Sequence, residues 1–157
     1  MRGLTLVLFA VFLSGCAVFA IETPPELIDF NSENRFEHVA MTHDGVVLRV
    51  KVHRQGEGVR EVPRGDLTFW TNATRERMRT AGGYALVEES EVQSKNGVAG
   101  KRLEFGRDQG NRPYRYVVVL FVTEDHIHVI DAGGRVERFD GASDAVDAAI
   151  RSYEVLR

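Results

Sequence analysis

Apolar and polar residues alternate with a period of two in the runs FEHVAMTH and VVLRVKVH, which lie on either side of Asp44-Gly45. That period marks a half-buried strand, and Asp-Gly between two such runs is a favoured hairpin turn. The pattern predicts a hairpin over Phe36–His53 with a two-residue turn at Asp44-Gly45. Counted from that turn, Val39 and Met41 share a face with Val46, Leu48, Val50 and Val52, while His38, Thr42, Arg49 and Lys51 face the other way. A loop then ends at Pro63 and the period lengthens. Leu67, Trp70, Thr71, Thr74 and Met78 form a stripe at three- and four-residue spacing. They predict a helix from Asp66 to about Thr80, stopped by Gly82-Gly83. Arg75, Arg77 and Arg79 fall outside this stripe, toward solvent.

The second half reads as a meander closed by a helix. Strands are expected at Tyr84–Val92 and Val98–Phe105 around a turn at Lys95-Asn96-Gly97, and at Tyr114–Thr123 after a loop at Arg107–Asn111. Val117–Val122 is apolar on both faces, so this strand is expected at the centre of the sheet with a layer on each side. Glu124-Asp125 turns the chain into a fourth strand, HIHVID, which ends at Gly133-Gly134. A short helical turn is expected around Val136–Phe139. A last helix then runs from Ser143, as N-cap, to about Tyr153, turning Ala145, Val146, Ala149, Ile150 and Tyr153 toward the sheet. Two strands, a helix, four strands and a helix make an α+β fold, an antiparallel β-sheet sandwiched by helices, with no repeat and no second domain.

Ahead of this pattern stands an uncharged run, Leu4–Leu13, preceded by Arg2. It is too short for an ordinary membrane-spanning helix, which needs about 20 residues, and it has the layout of an export signal. Leu13-Ser14-Gly15-Cys16 matches the lipobox of bacterial lipoproteins. In that family a diacylglyceryl group is added to the cysteine thiol and the signal is cut before it. Cys16 is thus the lipidation candidate, bearing palmitate-like chains that each contribute about 0.8 kcal/mol per buried methylene. An ordinary cut after Val18-Phe19-Ala20 is the competing reading and would release a protein without cysteine. Ala17 after the cysteine resembles lipoproteins sent to an outer membrane. The expected organisation is a signal peptide at 1–15, a lipidated N-terminus and tether at 16–34, and one domain at 35–157. Thr23-Pro24-Pro25 and Asn31-Ser32-Glu33-Asn34 give the tether its non-helical, turn-prone composition.

Composition adds exclusions. With 43% hydrophobic and 27% charged residues the mature chain has the balance of a soluble globular domain. A net charge of −3 without a Lys/Arg stripe excludes a strongly basic nucleic-acid binder. Cys16 is the only cysteine, so the domain has no internal disulfide and no thiolate metal site.

Candidate chemistry is sparse. His126 and His128, two apart on a strand, point to one face and are candidate metal ligands. A site needs a third ligand; Asp131 has the wrong parity, Glu124 has the right one, and Asp125 would need a turn to help. Polar decoration of a half-exposed strand explains the pair more simply. Ser90, Ser94, Ser143 and Ser152 lack the G-x-S-x-G setting of a hydrolase nucleophile. Glu88, Glu89 and Glu91 read as an acidic solvent face, and no glycine pattern cradles phosphate. Arg107, Arg112 and Arg115 beside Tyr114 and Tyr116 have a composition enriched in protein interfaces, and form the candidate partner-binding set.

Gly83-Tyr84, Gly97 with Gly100, the strand YRYVVVLFV, the segment IHVIDAGG and the closing Ile150-Arg151-Ser152-Tyr153 together resemble the Mog/PsbP-like fold. That group includes the photosystem II extrinsic protein PsbP, the Ran-binding factor Mog and many short bacterial lipoproteins. The resemblance spans roughly Phe36–Val155 and implies a non-enzymatic binding or assembly factor without cofactor. The expected protein is therefore a membrane-tethered periplasmic lipoprotein acting on an envelope protein. The alternative is an envelope carrier of a small ligand or lipid, with Phe69, Trp70, Phe105 and Phe121 lining a cavity between sheet and helices. An open cavity of several hundred cubic ångströms separates the carrier from the interaction protein, whose core is filled.

Overall fold

The computed structural model describes residues 17–30, 37–57 and 62–156. Cys16, the signal segment and Phe36 lie outside the described residues. In chain order the elements are β1 (Phe19–Ala20), β2 (Ile28–Asp29), β3 (Glu37–Met41), β4 (Val47–Arg54), α1 (Leu67–Thr80), β5 (Ala85–Gln93), β6 (Ala99–Asp108), β7 (Pro113–Val122), β8 (His126–Arg135), α2 (Val136–Ser152) and β9 (Glu154–Val155). The large sheet is antiparallel throughout, in the order β2-β3-β4-β8-β7-β6-β5. The fold is α+β, as the order of elements predicts.

Strand β7 lies inside the sheet with both faces covered, and Val117, Val118, Val119, Leu120 and Phe121 are all buried. Its odd positions join Leu48, Val50, Ile130 and Ala132 in the larger core, which α2 closes with Phe139, Val146, Ala149 and Ile150. Its even positions, Val118 and Leu120, join Leu103 and Phe105 under α1, against Leu67 and Met78. Asp66 caps α1 by accepting the amide of Phe69 at 2.8 Å.

Three expectations are corrected. The β3–β4 turn has three residues between Thr42 and Val46, whose backbones pair, and Gly45 takes a φ of +94°. One extra loop residue reverses the strand's parity. Ala40 and His38 therefore oppose Leu48 and Val50 on the core face, while Val39 and Met41 oppose Arg49 and Val47 on the other. The last helix is one continuous α2 from Val136, in which Ser143 is interior and donates to Asp140 O at 2.9 Å rather than capping. The expected tether also carries structure. Val18 and Leu27 are buried in the larger core, β1 pairs with β9, and β2 extends the sheet beside β3.

Candidate functional site

The two faces of the sheet are unequally covered. The six long strands, about 4.8 Å apart, make a face some 24 Å wide, whereas a helix spans only about 10–12 Å with its side chains. Helix α1 packs on β5, β6 and β7, leaving the β4–β8 half of its face beside it open. There the alternation of β4 sends Leu48, Val50 and Val52 into the core and Arg49, Lys51 and His53 outward. The result is an open groove of about 700 Å³ between α1 and the sheet. Val118, Leu120, Ile127 and Val129 form its floor, and Trp70, Ala73, Thr74, Arg77 and Met78 of α1 its wall.

One end of the groove is a tight polar cluster. Arg49 donates to Asp131 Oδ1 through Nε at 3.0 Å and Nη2 at 2.8 Å. The Tyr116 hydroxyl donates to the same oxygen at 2.6 Å and accepts from Arg49 Nη2 at 2.8 Å. Burial, and then the charge of Asp131, push the Tyr116 hydroxyl far above its ordinary pKa, so it is a fixed donor. Tyr116 reaches Asp131 across Gly133, its opposite number on β8, where a Cβ would stand 2.3 Å from the tyrosine ring. At the rim, Lys51 pairs with Glu37 at 3.5 Å. His53 is held below the usual imidazole range, by burial first and then by Lys51 and Arg77. Arg77 has no ion pair among the described residues, unlike its helix neighbours Arg75 with Glu89 and Arg79 with Glu76. Trp70 is half-buried in the wall and donates from Nε1 to Gln55 Oε1 at 3.2 Å.

The candidate partner-binding residues do not converge. Tyr116 belongs to the groove, while Arg112 sits exposed in the β6–β7 turn, bonded backbone to backbone with Gln109. Arg107, Tyr114 and Arg115 border a second recess of about 440 Å³. Both guanidiniums are engaged within the domain. Arg107 donates to Gly82 O at 2.7 Å over the Tyr84 ring, and Arg115 donates to Asp140 Oδ1 at 2.7 Å beside Phe139. His126 and His128 do share a face, but it is the buried α2 face, not a half-exposed one, because β8 lies between β4 and β7. His128 Nδ1 lies 2.7 Å from the Tyr153 hydroxyl. Among the described residues no three His, Cys, Asp or Glu groups gather where they could hold a metal ion. Of the four aromatics expected to line a cavity only Trp70 lines the groove; Phe105 and Phe121 are sealed in the two cores and Phe69 is exposed.

Sequence reasoning missed the Arg49–Asp131–Tyr116 cluster. Its members come from three strands, and only the register of β4 and β7 against β8 brings them together. The outward parity of Arg49 and the parity of Asp131, opposite to that of the two histidines, were the signals available.

No protein-family model matches the chain, and no curated protein matches it in sequence. Solved structures do match its fold. LpqN, involved in cell envelope biogenesis of Mycobacterium tuberculosis, aligns with a TM-score of 0.62 at 10% identity, over 86% of this chain and 81% of its own. The cyanobacterial PsbP of Synechocystis sp. PCC 6803 aligns with 0.53 at 14% identity, over 94% and 98%. The fold is PsbP-like. A Pseudomonas aeruginosa protein of unknown function, a putative regulator, aligns with 0.54 at 9% identity, over 84% and 98%.

Proposed function

We propose that the protein is an exported, membrane-anchored lipoprotein of the cell envelope, a non-catalytic binding module whose binding surface is the groove between α1 and the sheet. The observation that carries this reading is the groove itself, about 700 Å³ of open space with an apolar floor and a few fixed polar groups. That combination is what small-molecule sites share. Its volume is the one expected of a carrier, whereas the two filled cores on either side of the sheet are those expected of a protein-interaction factor.

Anchoring through Cys16 rests on the LSGC motif and gains support from the fold. The competing cut after Ala20 would remove β1 together with Val18, which is buried in the larger core, and Phe19, whose ring stacks on Tyr153 at 5.6 Å. A cut before Cys16 keeps all of them. Among the described residues no helix is long and apolar enough to cross a membrane. The structural likeness to LpqN, itself involved in cell envelope biogenesis, agrees with this setting.

The test is binding of a neutral solvatochromic dye, Nile red, to the full chain and to Ala73→Phe, which projects a ring into the groove from α1. A saturable blue shift that Ala73→Phe abolishes is the expected result. No shift, or a shift that Ala73→Phe leaves intact, overturns the groove as the binding surface. Intact mass of the membrane-extracted protein tests the anchor: a chain beginning at Cys16 with added acyl groups is expected, and one beginning at Ile21 overturns it.

A further inference from the structure

Among the described residues the charges around the groove do not cancel. On the sheet side Arg49 is neutralised by Asp131 and Lys51 by Glu37. His53 stands between Lys51 and the helix side with its imidazole held toward the neutral form. Arg77 faces the same space from α1 with no carboxylate partner among the described residues. Among the described residues one positive charge is therefore unmatched, and it borders an apolar strip formed by Trp70, Met78 and Val129 over the buried Val118 and Leu120. An apolar wall beside a single unmatched cation asks for a molecule with both an alkyl part and one negative charge. The volume is that of a site for one ligand of drug-like size.

From this arrangement we infer that the groove binds a single-chain amphiphile with a monoanionic carboxylate head, the head at Arg77 and the chain along Trp70, Met78 and Val129. The inference rests on the groove reading and adds the ligand's chemical class. The occupant's charge completes the local balance without breaking the Arg49–Asp131–Tyr116 cluster. A guanidinium–carboxylate pair is a charge-assisted hydrogen bond, stronger than a neutral one.

Trp70 is the chain's only tryptophan, so its emission reports on this groove alone. A bromine carried on an alkyl chain quenches indole emission on contact. The experiment titrates the full chain at pH 7 with 11-bromoundecanoate, with the neutral 11-bromoundecanol, and with unbrominated undecanoate as a blank. The acid is expected to quench Trp70 saturably, with the alcohol and the Arg77→Glu variant each weaker by about tenfold or more. Arg77 is exposed, so the variant should keep the melting temperature of the parent, which is checked alongside. Equal quenching by acid and alcohol, or an unchanged midpoint in Arg77→Glu, overturns the anionic head while leaving the groove a binding site. Absence of quenching by either brominated compound overturns the ligand assignment and the groove reading together.

Discussion

His53 stands at the rim of the groove with its imidazole pKa lowered by burial first, then by the charge of Lys51; Glu37 works in the opposite direction and Arg77 adds to the lowering. A histidine whose folded-state pKa lies below its unfolded value favours the folded state above the unfolded pKa. It loses that contribution as pH falls through the folded pKa. Since Arg77 is one of the lowering groups, Arg77→Gln should raise the His53 midpoint toward the ordinary value. The imidazole proton shifts in an NMR titration read this directly, and an unmoved midpoint would mean that Arg77 is electrically remote from the groove. Read residue by residue, the sequence was most legible where parity alone decides. The outward direction of Arg49 and Lys51 and the mismatch of Asp131 with the two histidines follow from a period of two, and both are present in the fold. What parity cannot supply is depth. The pattern alone makes His126 and His128 half-exposed, because the sequence does not say which strands flank theirs, and being interior is what buries them.

At the scale of elements, two glycines play opposite parts. Gly141 lies on the outward side of α2, and a Cβ there meets nothing within 4 Å. The helix runs through it because Phe139, Ala142, Val146, Ala149 and Ile150 keep a continuous apolar stripe against the sheet, which outweighs the local propensity penalty. Gly141→Ala should therefore stabilise the domain by about 0.5–1 kcal/mol. Gly45 presents the opposite case, because its φ of +94° closes the three-residue β3–β4 loop. Gly45→Ala should cost roughly 1–2 kcal/mol. Denaturant unfolding of the two variants tests the pair, and equal effects would mean that backbone conformation is not what separates them. The Asp44-Gly45 turn was legible, but its loop length was not. Asp-Gly suits either a two-residue turn or the last two positions of a three-residue one, and the choice reverses which side of β3 is buried. Here the three-residue form wins because it turns Ala40, fully buried, onto Leu48.

For the molecule as a whole, the decisive departure from the sequence pattern is at the N-terminus, where a tether was expected and a structural strap is found. Prolines and polar residues over 17–34 carry no periodic signal, so composition alone marks them as linker. Val18 and Phe19 among them are docked by distant parts of the chain: Phe19 opposes Val155 in the β1–β9 pair, Phe19 stacks on Tyr153, and Leu156 N donates to Val18 O at 3.0 Å. These contacts tie the first described residues to the last, and they cannot form until α2 has delivered β9. Removing residues 17–20 should therefore destabilise the whole domain rather than shorten a flexible arm. Losing the burial of Val18 and the Phe19 stack amounts to about 3 kcal/mol. The measurement is calorimetric melting of a chain beginning at Ile21 beside one beginning at Ala17. A drop of several degrees is expected, since about 1 kcal/mol moves a domain of this size by roughly 2–8 °C. Equal melting temperatures would make the strap dispensable and restore the cut after Ala20 as a workable maturation. The expected result has a spatial consequence for a lipidated Cys16. With Val18 already in the core, only Ala17 separates the acylated residue from the fold. One residue spans at most about 3.6 Å of extended chain, so the domain would be held against the bilayer surface.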